Sequence, residues 1–380
     1  MRHYLPPFRY LDLYLIWIVL LLFNFNIYGV YTINYIAIAA AVYLLFSIRF
    51  YRLNNLIYFL LILLITFLGF ARSGGYAEPF KYVFCFFQIY IFYNYFLLRL
   101  ITRKMMIGES TRILNFFKLS FSIYAVLTFY EFSSGGFLWF ESRNYDSFLP
   151  RVNLGFGDPN SLASFLLIGM LLLPTRFALV NFVSIVAGLL TFSRAYILSY
   201  LFAMVLKSQY LHFKPSYLLF ISSFILVFYF FPYEYLLNSL GVNLNIDFVL
   251  DRLLSSSEVE NPRMIEWIIS ISAVEVLPDW SVFYNTLDPH NSLLLALNLF
   301  GIFGTAILIF NLIKSCWCIK KLIRDLPQAV NFDLVILAFI IFNSLNSELF
   351  SIRSTAALGI ILGLLVGVSG RQACLRLNTR

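Results

Sequence analysis

Apolar residues fall in blocks along this chain, separated by short polar breaks. The blocks centre on residues 13–25, 31–48, 56–71, 82–98, 116–130, 161–173, 177–192, 194–206, 217–231, 292–313, 334–346 and 355–369. A helix crossing roughly 30 Å of hydrocarbon needs about 20 mainly apolar residues, and it keeps every backbone polar group paired where no water is available. The pattern therefore predicts an all-α integral membrane protein, a polytopic bundle of about twelve transmembrane helices that forms one unit over residues 1–380. Two polar stretches are too long for turns, residues 131–160 and 232–289. In the second, Asn261-Pro262 reads as a helix cap followed by a first-turn proline, and Met264 to Val276 has the spacing of an amphipathic helix suited to the mouth of the bundle.

One break needs arbitration. Ser193-Arg194 either interrupts a single helix over residues 177–206 or sits at the turn between two short ones. A single helix of that length would be roughly 45 Å long, more than moderate tilt absorbs. Charge decides independently, because cytoplasmic loops carry the excess of Lys and Arg. With twelve spans and both termini inside, the inner segments hold 19 Lys/Arg and 4 Asp/Glu, and the outer ones hold 8 and 15. Merging the two short spans would move Lys207, Lys214, Lys314, Lys320, Lys321, Arg324, Arg371, Arg376 and Arg380 to the outside. The two-span reading puts both long loops on the outer face, 131–160 after span five and 232–289 between spans nine and ten.

Composition agrees. Apolar residues make up 61% of the chain, against roughly 45–50% in soluble domains, and charged residues only 12%. Leu13 to Phe25 follows Arg2 and Arg9 and lacks a small-residue cleavage site, so it is expected to be a retained span. Cys85 falls in a span, and Cys316, Cys318 and Cys374 fall in cytoplasmic segments, which implies no disulfide framework. The lone Cys316-Trp317-Cys318 lacks the second pair a zinc site wants. The 43 Phe and 25 Tyr suit lipid-facing and interfacial packing. No Asp-rich metal motif, phosphate-binding glycine loop or dinucleotide fingerprint is present, so no metal, cofactor or nucleic-acid partner is expected.

Four outer-side groups stand out. Arg194 lies between two apolar runs without an acidic neighbour, and it either lines the mouth of the bundle or snorkels to the interface. Arg263 opens the loop helix, where it faces the mouth or pairs with Glu260 or Glu266. His290 is the single outer histidine, in Asp288-Pro289-His290-Asn291 where the long loop re-enters as a helix. It reads as a proton acceptor near neutral pH or as a helix-start polar group. Arg151 begins a segment running to Asn160, within which Asp158-Pro159 reads as a cap and first turn. Several arginines at one mouth suit a phosphate or pyrophosphate, since the guanidinium forks onto phosphate oxygens.

Three segments, Arg151 to Asn160, Phe192-Ser193-Arg194-Ala195, and His290-Asn291-Ser292-Leu293 running to Gly301-Ile302-Phe303-Gly304, resemble the motif set of the O-antigen ligase and O-antigen polymerase superfamily. Arg263 with Trp267 resembles the arginine-helix motif between them. The resemblance in motif order covers about residues 150–305, and the span plan with its large outer loop resembles the family over the whole chain. It implies a metal-independent glycosyltransferase of the bacterial inner (cytoplasmic) membrane, active at the periplasmic face, with a polyprenyl-pyrophosphate-linked glycan as donor. Arg194 and Arg263 would hold the pyrophosphate as charge grows on it, and His290 would take the proton from the attacking sugar hydroxyl. Arg151, Asn160, Ser193 and Asn291 stand beside them as substrate-binding positions.

The expected activity is polymerisation of lipid-linked repeat units into O-antigen, capsular or exopolysaccharide, since Gly155 to Asn160 is closer to the polymerase branch. The alternatives are a ligase acting on a lipid A core acceptor, and a lipid-linked oligosaccharide flippase or other transporter. A transporter would gather its ionisable groups near the midplane rather than at one mouth. The implied partners are glycan donor and acceptor, membrane lipid, a chain-length regulator and a flippase.

Overall fold

The computed structural model describes residues 26–27, 30–46, 53–102, 105–134, 136–137, 140–141, 143–144, 150–152, 154, 158–173, 178–191, 193, 195–201, 262–284, 291–323, 338–340, 342–343 and 352–378. The expected spans at 13–25 and 217–231, with most of that at 334–346 and part of that at 194–206, lie outside these residues. The helices are α1 Thr32–Phe46, α2 Leu53–Arg72, α3 Phe80–Ile101, α4 Ile107–Ser134, α5 Pro159–Leu172, α6 Ala178–Leu189, α7 Pro262–Ser272, α8 Ser292–Ile323 and α9 Ile352–Asn378. Three two-residue antiparallel pairs accompany them, one before α1 and two between α4 and α5. Among the described residues, Phe80–Ile101, Ile107–Ser134 and Ser292–Lys314 are long and apolar enough to cross a membrane.

The outward surface fits lipid rather than water. Leu60, Leu64 and Phe67 on α2, and Leu119, Ile123, Val126 and Tyr130 on α4, are exposed at helical spacing and form continuous apolar stripes. The inward side is equally apolar, so packing rests on close backbone approach and on small residues. Gly359, Gly363 and Gly367 lay one face of α9 along α3: a Cβ at Gly359 would stand 2.6 Å from the Ile89 carbonyl oxygen, and one at Gly363 would stand 2.6 Å from that of Tyr93. Gly367 meets the Leu100 side chain, so the contact climbs both helices together and the two run parallel. α1 also runs parallel to α3, because Gln88 Nε2 donates to Asn34 Oδ1 at 2.7 Å and Tyr43 meets Tyr95 edge-on further along. α4 and α5 are antiparallel, with Tyr124 and then Phe121 against Phe165, and Phe121 on against Gly169.

These contacts identify one end of the bundle. The α2–α3 turn, the start of α9 and the start of α5 share it, since Ser354 Oγ at the head of α9 donates to the Ser161 carbonyl at 3.4 Å. In that α2–α3 turn, Lys81 and Tyr76 both donate to the Glu78 carboxylate, which holds its pKa below the ordinary carboxylate range.

Candidate functional site

Residues 150–152 and 154 are held at this end by a buried carboxylate. Glu131 ends up fully buried in the last turns of α4, and its Oε2 accepts the backbone N–H of Leu154 at 2.6 Å. Leu154 has φ 45°, a left-handed conformation costly for a branched side chain, and the bond from Glu131 helps to hold it there. Val152 and Leu154 are themselves buried. The register of the preceding pair sets Arg151 opposite Arg143. Asp158 is the N-cap of α5, accepting from the Asn160 N–H at 2.8 Å with Pro159 at the first helical position. Asn160 is 7% exposed. The expected loop over 131–160 begins four residues late, because α4 continues to Ser134.

The chain reverses at Ser193. α6 stops at Leu189, where Thr191 Oγ1 donates back to the Gly188 carbonyl at 2.6 Å, and a new helix runs from residue 195 to 201. Ser193 caps it: its Oγ accepts from the Tyr196 N–H at 3.4 Å, and the side chain is buried. Tyr196 folds back so that its hydroxyl donates to the Ser184 carbonyl at 3.4 Å, with its ring over Gly188. In one straight helix those residues would lie about 18 Å apart along the axis, so a hairpin is the geometry that joins them. The short connection between α5 and α6 makes them antiparallel neighbours, which returns Ser193 to the end where α5 began.

The third part is a break in α8. Gly301 has φ 66° and ψ 179°, so Ser292–Ile323, which contains the span expected at 292–313, is built of two helical halves that meet at a kink. A segment following α7, residues 274–279, lies in the break. The Ile302 N–H donates to the Glu275 carbonyl at 2.9 Å and the Phe303 N–H to the Val276 carbonyl at 3.1 Å, which pairs two donors that a helix start leaves open. On the other side, Thr305 Oγ1 donates to the Ala296 carbonyl and Trp280 Nε1 to the Leu299 carbonyl, both at 2.9 Å. Any Cβ at residue 301 would stand 2.7 Å from the Val276 carbonyl oxygen and 2.8 Å from the backbone of Leu277. Irregular backbone within apolar surroundings persists only when its polar groups are paired in this way.

The same segment is fastened to α2. Arg72 binds Glu275 at 2.7 Å and donates to the Leu277 carbonyl at 3.0 Å. Trp280 is fully buried against Gly69, Phe70 and Phe80, and the Tyr284 hydroxyl donates to the Ser73 carbonyl at 3.0 Å. Asn291 caps α8, its Oδ1 accepting from the Leu293 and Leu294 N–H groups at 2.9 and 3.1 Å.

α7 spans Pro262–Ser272, shorter than the expected Met264 to Val276. Ser270 is buried, whereas Ile268, Ile269 and Ile271 are exposed, so the polar stripe turns inward and the apolar one outward. Glu266 takes part in no ion pair among the described residues. The placement of Arg194 and His290, and of the side chains of Arg151 and Arg263, lies outside the described residues. What the structure brings to one end of the bundle are described neighbours of these positions: residues 150–152, 154 and 158–160, Ser193, the segment 274–279 that follows α7, and the start of α8. The residues that sequence reasoning missed are Glu131, Arg72 and Trp280. Trp280 and Arg72 carry no local signal, since their partners lie far along the chain, while Glu131 signals itself as an acidic residue closing a long apolar helix.

Compared with protein-family models, with curated proteins and with solved structures, the chain matches none.

Proposed function

We propose that this chain is a twelve-span, metal-independent glycosyltransferase of the bacterial cytoplasmic membrane, which joins polyprenyl-pyrophosphate-linked repeat units into a polysaccharide at the periplasmic face. The observation that supports this reading is the gathering at one end of the bundle of residues 150–152, 154, 158–160, 193, the segment after α7 and the start of α8, which belong to stretches of sequence that resemble the O-antigen polymerase and ligase motifs. The fold supports the topology as well. α1, α3 and α9 run parallel, as the second, fourth and twelfth spans must if every apolar run crosses in turn. The hairpin at Ser193 separates the two short helices that the charge pattern also separates.

In the mechanism, Arg194 and Arg263 receive the pyrophosphate, and their fixed positive charge offsets the negative charge that builds as the anomeric C–O bond breaks. His290 takes the proton of the acceptor hydroxyl as its oxygen attacks the anomeric carbon. A single displacement inverts that carbon, and polyprenyl pyrophosphate leaves. The structural work of the fold is to hold α7 and the start of α8 against the bundle, through the segment docked in the α8 break.

The test is purified protein in lipid with a polyprenyl-pyrophosphate-linked repeat unit as both donor and acceptor. Polymer is expected from the native chain and none from His290→Ala at equal protein level. Arg194→Lys should also be impaired, since an ammonium does not reproduce the guanidinium fork. Undiminished polymer from His290→Ala would remove the base assignment. In cells, loss of a polymerase leaves single repeat units on the lipid core, whereas loss of a ligase leaves long lipid-linked polymer without core attachment.

A further inference from the structure

An exposed apolar patch on a segment expected to lie in water asks what covers it. Residues 262–277 belong to the long outer loop of the sequence pattern, yet Ile268, Ile271 and Val276 are 62%, 58% and 66% exposed, with Ile269 and Leu277 exposed beside them. On α7 the amphipathic arrangement is the reverse of that in a helix facing water, since Ser270 is fully buried and the isoleucines point away from the bundle.

Continuity and level together identify the cover. The Phe303 N–H donates to the Val276 carbonyl at 3.1 Å, so the patch passes directly onto α8 at Ile302 and Phe303, both about half exposed. Phe310, seven residues further on and on the same side of that membrane-length helix, is exposed as well. The level is read from α2. Trp280 packs at Gly69, Ile65 packs at Gly304, and Arg72 reaches the Leu277 carbonyl, so residues 275–277 stand beside the last turn of α2. That turn still carries the exposed apolar side chains Phe67 and Leu68. The polar rim begins at its end, with Arg72 on Glu275 and Asp279, then Tyr76 against Tyr284 and Lys81 on Glu78. Tyrosines and basic residues collected at one level are how membrane helices meet the headgroup layer.

We propose that α7 and residues 273–277 form an in-plane membrane segment, with the isoleucine face of α7 lying in the acyl chains of the leaflet at this end of the bundle. The occupant of the patch is bilayer hydrocarbon, because the patch continues without a polar interruption into the exposed side of a helix long and apolar enough to cross the membrane. The 11 residues of α7 are too few to span, and a helix lying in the interface buries one apolar face without crossing. Lipid contact also sets the rotation of α7. With 268 and 271 in the acyl chains, the stripe of 266 and 270 turns to the bundle, and helical spacing puts position 263 on that same stripe. The membrane contact holds whatever reaction the chain performs.

The test is photo-crosslinking of the full chain in nanodiscs of phosphatidylethanolamine and phosphatidylglycerol. Ile268→benzoylphenylalanine is illuminated and its adducts are weighed by intact mass, with the same replacement at Phe310 as the lipid-facing reference and at Ala77, exposed in the α2–α3 turn, as the outer reference. Phospholipid adducts are expected from position 268 at a yield nearer to that of 310 than to that of 77. An adduct with the mass of a second chain or of another protein overturns the proposal, and so does a lipid yield nearer to that of 77. A second measurement avoids the bulky probe. In a chain whose four cysteines are changed to serine, a nitroxide on Ile271→Cys should collide more with oxygen than with a water-soluble nickel chelate, with the order reversed on Ala77→Cys. A preference for the nickel chelate at 271 would put α7 in water and end the proposal.

Discussion

Arg72, the last residue of α2, forms an ion pair with Glu275 at 2.7 Å across 203 residues of chain, and the same guanidinium donates to the Leu277 carbonyl. One side chain thereby fastens the segment that pairs the backbone of the α8 break. The two charges are 36% and 51% exposed, so the ion pair alone is worth no more than about 1 kcal/mol. Its effect is therefore local rather than global. Arg72→Ala should speed amide exchange at Ile302 and Phe303, whose acceptors are in this segment, while the unfolding temperature moves little. Unchanged exchange at those two amides would show that Trp280 holds the segment without help.

Gly301 is where a methyl group is least tolerated. It combines φ 66° with backbone of the docked segment closer than any Cβ allows, so Gly301→Ala should cost more than about 2 kcal/mol and displace residues 274–279. Gly108 in α4 has open space around it, and Gly108→Ala in the same denaturation assay should be neutral or stabilising by up to about 1 kcal/mol. Equal effects at the two glycines would contradict the described break.

At Glu131, removal and replacement should differ. Glu131→Ala leaves the buried Leu154 N–H without its acceptor, at about 1–3 kcal/mol, and releases residues 150–154 from α4. Glu131→Gln keeps an acceptor oxygen of the same reach and should retain more of the native stability. Limited proteolysis between residues 134 and 158 reports the release directly. If the Ala and Gln variants are cleaved at the same rate, the bond to Leu154 is not what holds this loop.

A base at His290 makes the proposed reaction pH-dependent. Free imidazole titrates near about pH 6.5, and only its neutral form accepts a proton, so the rate at saturating substrate should fall as pH drops through that region. The measurement is initial polymerisation rate from pH 5 to 8 in the native chain. A flat profile would point to a base other than histidine.

Much of this molecule is legible in one dimension. The apolar blocks mark membrane helices because a span must pair its own backbone and so must be long, helical and continuous, and the clustering of Lys and Arg in alternate loops sets the expectation for sides. Asp158-Pro159 declares a helix start, and Ser193 declares another, because caps are local chemistry. The Ser193 cap and the fold-back of Tyr196 are what divide the described residues of 178–201 into two helices. Hydropathy did not reveal the break at Gly301, which lies inside an unbroken apolar run. It exists because a segment some 25 residues earlier in the chain supplies the carbonyls that its backbone lacks. Nor does periodicity tell which stripe of α7 faces inward, since both a polar and an apolar stripe have a solvent to meet at a membrane edge. Those two features, the paired break and the inward polar face, depend on which backbones meet, and meeting partners are a property of the folded chain alone.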